Sequence, residues 1–137
     1  MAKYTIKHVC GHEEEIQLFG SWAERESRIK AMEETHCAAC RAAQDAATCA
    51  AWGWPESQGT ARQVAWADSI RIRFRREVWD KVHGKITDEA KAAALYDIIN
   101  AFVTEHTDAT FWIDNRYELD SWDSAGRLVS IWYKNRK

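Results

Sequence analysis

The chain has 137 residues, enough for one domain or for a small module joined to a slightly larger one. Hydrophobic residues at 46% and charged residues at 29% exclude disorder throughout. A net charge of −2 excludes a protein that coats nucleic acid by bulk charge, and equally a wholesale acidic mimic of DNA, so any charged recognition has to come from local patches.

The first residues, Met1 to His8, carry no apolar core of secretory-signal length, and no segment approaches the roughly 20 apolar residues of a membrane span. The expected location is therefore the cytoplasm, with no membrane partner. In that compartment thiols stay reduced, and the four cysteines point to metal before disulfides.

In chain order, Tyr4 to Cys10 alternates and is β-branched, which predicts a strand, and Glu15 to Phe19 reads as its return partner. Gly11 between them suits a tight knuckle, and Gly20 closes the hairpin. Ser21 and Glu24 have capping-box spacing and open a helix whose apolar stripe, Trp22, Ile29 and Met32, is narrow. An alanine-rich helix is predicted from about Cys37 to Ala51.

Residues 52–59 break the periodicity, because Pro55 pushes Trp54 away from helical angles. They are taken as the junction between a zinc-binding module, 1–51, and a helical module, 60–137. Thr60 with Gln63 forms a second capping box and starts a long helix to about Val82, with Gly84 as its stop. Trp66, Ala67, Ile70, Phe74 and Val78 are its predicted core face. Thr87 is the expected cap of the next helix, whose buried stripe is Leu95, Ile98, Ile99 and Phe102; a short turn of helix follows over Asp108 to Asn115. Asp123 to Gly126 reads as a turn, and Leu128 to Tyr133 as a C-terminal strand, with a final helix the competing reading. The resulting fold class is α+β: an N-terminal zinc-ribbon or treble-clef-like hairpin plus helices, then a mainly helical module.

The metal reading rests on two short donor pairs. Cys10-Gly-His12 offers a thiol and an imidazole at a hairpin knuckle, and Cys37-Ala-Ala-Cys40 offers two thiols that share a face where the segment enters a helix. The positive end of that helix is expected to favour the thiolate form. Three thiolates and one histidine make a closed set with no open position for water, so the expected role of a zinc ion here is structural. Cys49 lies nine residues beyond Cys40 and points the opposite way on a continuous helix. His8 competes with His12 for the fourth position, and His36 is a weaker competitor.

On the long helix, Arg62, Arg73 and Arg76 face away from the predicted core and can grip phosphates or an acidic protein surface; the alternative is a solvated face. Trp52 and Trp54 flank a turn, where they either anchor an interface or plug the junction. His83, His106 and Asp114 are the only loop-borne groups suited to catalysis, and no nucleophile elbow, phosphate loop or metalloprotease motif joins them. An enzyme is not expected.

Three segments taken together, Lys7-His-Val-Cys-Gly-His-Glu-Glu-Glu-Ile-Gln-Leu-Phe-Gly20, Gly59-Thr-Ala-Arg-Gln-Val-Ala-Trp-Ala-Asp-Ser-Ile-Arg71 and Phe111-Trp-Ile-Asp-Asn-Arg116, resemble small zinc-ribbon proteins carried by phages and integrative mobile elements of bacteria. The resemblance implies an N-terminal zinc ribbon, a helical domain and life in a bacterial host cell. By analogy of setting and build it extends to anti-CRISPR proteins, and so implies a protein or nucleoprotein partner such as a CRISPR effector nuclease. The competing expectation is a regulator that binds nucleic acid directly through the arginine-bearing helix.

Overall fold

The structure is a computed structural model and describes residues 2–136. The chain forms two compact units, Met1–Ala43 and Gln44–Lys137. Among the described residues, no helix is long and apolar enough to cross a membrane.

The first unit begins with an antiparallel hairpin, β1 (Ala2–Lys7) and β2 (Glu13–Leu18). Its register pairs Tyr4 with Ile16 and Ile6 with Glu14, so the period-two alternation puts Tyr4, Ile6, Ile16 and Leu18 on one face. The first strand stops at Lys7 rather than running to Cys10. Residues 8–12 instead fold back, with the His8 N–H donating to the His12 carbonyl at 2.9 Å and the Gly11 N–H to the His8 carbonyl at 2.9 Å. Gly11 sits at φ 88°, where a side chain would be strained. Helix α1 (Trp22–Glu33) carries both halves of the Ser21/Glu24 capping box and contributes no fully buried residue. Helix α2 (Ala38–Ala51) follows, and the division between the units falls within it.

The second unit is helical: α3 (Ala61–Lys85), α4 (Glu89–Glu105), α5 (Ala109–Asp114), a 3-10 turn at Glu118–Asp120, and α6 (Trp122–Asn135). Thr60 and Gln63 make the predicted capping box of α3. The helix runs through Gly84, which does not adopt positive φ and so provides no stop; Ile86 leaves the helical region instead. Asp88, not Thr87, caps α4, accepting from the N–H groups of Ala90 and Lys91 at 2.9 and 3.2 Å. A carboxylate there satisfies two orphan donors and complements the helix dipole.

Ala67, Ile70, Phe74, Val78 and Val82 of α3 pack with Ile99, Phe102 and Val103 of α4 and with Trp112 of α5. Phe74 contacts the Phe102 and Trp112 rings at 5.8 and 5.6 Å between centroids. Trp66, placed in the core by periodicity, is 48% exposed, because it stands at the edge of the apolar arc.

The C-terminal strand is replaced by α6. Its turn-like start, Asp123 to Gly126, is the first turn of the helix, and Trp122, Ala125, Val129 and Trp132 recur at helical spacing against the core. A strand at 128–133 needs a neighbour for its backbone groups, and the only sheet among the described residues is the β1–β2 pair.

Arg71 is 1% exposed inside this core. It donates to the Ser57 hydroxyl at 2.8 Å and the Pro55 carbonyl at 2.9 Å, meets Asp68 at 3.3 Å, and lies over the Trp54 ring. Burial pushes the Asp68 carboxyl up, and Arg71 opposes that shift. Removing one member of such a pair strands the other without solvent. Arg71→Ala is expected to destabilise the protein by about 3–5 kcal/mol in denaturant titration, far beyond the change from Arg62→Ala on the exposed side of the same helix.

Candidate metal centre

The sequence separates the donor pairs by a strand, a helix and a loop, and the first unit folds so as to rejoin them. The loop after α1 is fastened to the knuckle: the Val9 N–H donates to the Thr35 carbonyl at 3.1 Å, and the His8 Nδ1 reaches the carbonyl oxygens of Met32 and Thr35 at 3.0 and 3.2 Å. Cys37 then stands at the entrance of α2, its carbonyl accepting from the Arg41 N–H at 2.9 Å, so Cys40 rises beside it one turn on.

The ligand atoms of Cys10, His12, Cys37 and Cys40 all lie within 4.8 Å of one another. His12 Nδ1 is 3.3 Å from Cys10 Sγ, 3.5 Å from Cys37 Sγ and 3.2 Å from Cys40 Sγ. The three cysteines are half-buried. Such a cluster can hold a metal ion.

The thiols are polarised in opposite directions. Backbone N–H groups of Cys37 and His12 bring Cys10 down to about 5, so it stands as a ready-made thiolate. Cys40 is pushed up to about 11 by hydrogen bonding to the Cys37 and Cys10 sulfurs. The expected help from the start of α2 thus reaches Cys10, through the Cys37 backbone, and not Cys40.

His8 is buried and committed elsewhere. Its Nδ1 serves the carbonyls of Met32 in the last turn of α1 and of Thr35 just beyond it, while Nε2 lies 3.4 Å from Glu14 Oε2, without hydrogen-bond alignment. It stands outside the four converging donors, as does His36. The reason is the early end of β1: once the chain turns at His8, His8 and Cys10 no longer share a strand face. Cys49 is buried with its thiol raised to about 11 by desolvation.

No family model, curated protein or solved structure matches this chain.

The remaining sequence candidates are scattered over the second unit. Arg62, Arg73 and Arg76 are exposed on α3, with Arg73 3.5 Å from Asp120. Trp54 is buried and donates from Nε1 to Asn100 Oδ1 at 3.1 Å, while Trp52 packs edge-on against it and under Arg75. His106 caps α4, bonding the Phe102 carbonyl at 2.7 Å and stacking on Phe111 at 4.0 Å, so it is a packing group. His83 and Asp114 are exposed on separate helices. The sequence reading passed over the buried Arg71–Asp68 pair, although Arg71 falls within the apolar arc of α3 at about 100° per residue. It also gave no role to Tyr117 or to Arg116, which it met only as the end of the Phe111–Arg116 segment.

The two histidines separate by experiment. His12→Ala is expected to weaken metal binding by at least tenfold in a competition titration with a chromophoric chelator. His8→Ala is expected to keep one ion per chain while losing on the order of 1–3 kcal/mol of stability, the cost of its ring-to-carbonyl hydrogen bonds.

Proposed function

We propose that this chain is a non-enzymatic zinc protein that binds a protein or nucleoprotein partner, with one structural Zn2+ held by Cys10, His12, Cys37 and Cys40 in a treble-clef-like hairpin module. The observation that carries this reading is the convergence of three thiols and one imidazole. A tetrahedral ion with Zn–S of about 2.3 Å and Zn–N of about 2.0–2.1 Å has S···N edges of about 3.5 Å. The three measured edges to His12 Nδ1, 3.2, 3.3 and 3.5 Å, fit that figure with little adjustment. Four protein donors close the coordination sphere, which favours a structural ion over a catalytic one.

Magnitudes support the same role. The fully buried large apolar side chains among the described residues of the first unit are Ile6 and Leu18. At about 1.5–3 kcal/mol each they supply a few kcal/mol. A structural zinc supplies about 10–16 kcal/mol in favourable peptides, and so dominates the stability of so small a unit.

A partner is supported by the aromatics at the end of the hairpin. Phe19 and Trp22 flank Gly20 and are 62% and 63% exposed, large apolar rings left in water within four residues of each other. Aromatic anchors of this kind supply most of the energy of many interfaces. The resemblance to mobile-element proteins favours a host nucleoprotein complex, such as a CRISPR effector nuclease, as the partner class.

Elemental analysis of purified protein is expected to give one zinc per chain, and chelation to erase amide-exchange protection at Ile6 and Leu18; metal-free protein with that protection intact overturns the reading. Since the bound ion replaces protons on the thiols that carry them, above all Cys40 at about 11, zinc retention is expected to weaken steadily as pH falls from alkaline through neutral, and more steeply below about 5, where Cys10 also regains its proton. The paired change Phe19→Ala with Trp22→Ala is expected to abolish recovery of a defined complex from bacterial lysate with zinc content unchanged. Recovery at wild-type level counts against this docking surface.

A further inference from the structure

One line of α3 alternates positive charge with an exposed indole. Arg62, Trp66, Ser69, Arg73 and Arg76 follow one another at spacings of four, three, four and three residues, and all five are exposed. At about 100° per residue they fall on one strip beside the apolar arc, and at about 1.5 Å per residue the strip is about 21 Å long. The loop after α5 adds a second aromatic and a fourth arginine at its centre. The Arg116 guanidinium lies 5.1 Å from the Trp66 ring centroid and 4.6 Å from that of Tyr117, so the cation bridges two rings. Tyr117 is 76% exposed. Between Trp66, Arg73, Arg116 and Tyr117 lies a shallow hollow of about 110 Å³.

The charge on this strip is mixed in sign. Arg62, Arg73, Arg76 and Arg116 stand with Asp120, which pairs with Arg73, Asp80 one turn beyond Arg76, Glu77 beside Arg76 and the exposed Glu118 beside Tyr117. The strip therefore offers guanidinium planes and rings rather than a net positive field. Arg116 is held in place by donating to the Ile113 carbonyl at 2.6 Å, so its plane is preset rather than ordered on binding. An acidic chain without apolar or aromatic side chains would use the arginines and leave the aromatic faces in water. A duplex would use the arginines and hide its base faces. A single strand uses both, because unpaired bases stack on aromatic rings and guanidinium planes while the phosphates meet the flanking arginines.

We propose that this strip of the second unit binds single-stranded nucleic acid, with Trp66 and Tyr117 as stacking platforms and Arg62, Arg73 and Arg76 on the phosphates. The site goes beyond the zinc reading and does not depend on it. Fluorescence anisotropy with labelled oligothymidine and oligouridine tests it and separates DNA from RNA. Binding is expected at low salt, with a log–log salt slope of about −2 for three phosphate contacts. Trp66→Ala and Tyr117→Ala are each expected to weaken binding roughly 5- to 100-fold, and Trp66→Phe to retain most of it. Arg73→Ala combined with Arg76→Ala is expected to flatten the salt slope.

Flat titrations at low salt overturn the proposal. So does unchanged affinity in Tyr117→Ala; since Tyr117 is exposed, misfolding is a poor explanation of a loss there. Polyglutamate or the annealed duplex competing as well as the single strand, at equal charge, assigns the strip to another partner and also overturns it. Zinc content measured on the same samples keeps the two readings apart: zinc bound without oligonucleotide binding sinks this site alone, and the converse sinks the zinc reading alone.

Discussion

Four side chains able to act as metal donors come from two distant segments and meet within 4.8 Å of one another, and the architecture of the first unit brings them there. The hairpin ends early so that residues 8–12 can curl Cys10 and His12 toward each other. The loop after α1 is stitched to the knuckle through Val9 and His8, which brings Cys37 to the same place. Helix α1 buries nothing fully and acts as a measured spacer between the two donor pairs. With so little apolar area removed from water, an ion held by the cluster would be the main source of the unit's order.

The second unit solves the opposite problem. It has apolar area in surplus, with aromatic rings of α3, α4, α5 and α6 interlocking around Phe102. Its cost is a buried charge. Arg71 is enclosed with Asp68, Ser57 and the Pro55 carbonyl, and the pair ties the 52–59 segment to the long helix. Gln58 adds a parallel bridge to Asp108, with the Ala109 N–H donating to the Gln58 carbonyl at 2.9 Å. Buried ion pairs are weak sources of net stability, and here the pair fixes where an otherwise featureless loop must lie. Helix α3 thereby carries a packed face and, beside it, an exposed strip of arginines and indole.

Much of this was legible beforehand where the code is local. Both capping boxes, at Ser21 and Thr60, formed as the spacing required, because every atom involved lies within one turn of chain. The buried face of α3 was readable from period alone at Ala67, Ile70, Phe74 and Val78. The four clustered side chains were readable because a tetrahedral site would leave a short-range signature, a knuckle and a helix-start pair, in spite of the distance between them. Failures came where two local readings were equally good. Leu128 to Tyr133 is apolar on both faces, so neither period two nor period 3.6 could be excluded. Thr87 and Asp88 are adjacent caps, and only the carboxylate reaches two N–H groups.

The sequence by itself determined the helix starts, the apolar stripes and the identity of the converging donors, since these depend on residue type at separations of a few positions. Tertiary structure alone decided that His8 faces the end of α1 and not the Cys10–His12–Cys37–Cys40 cluster, that Arg71 is enclosed while Trp66 is left in water, and that the last segment coils as a helix. Each of those outcomes depends on which distant element supplies a hydrogen-bond partner or a packing surface, and that information is absent from any short window of the chain.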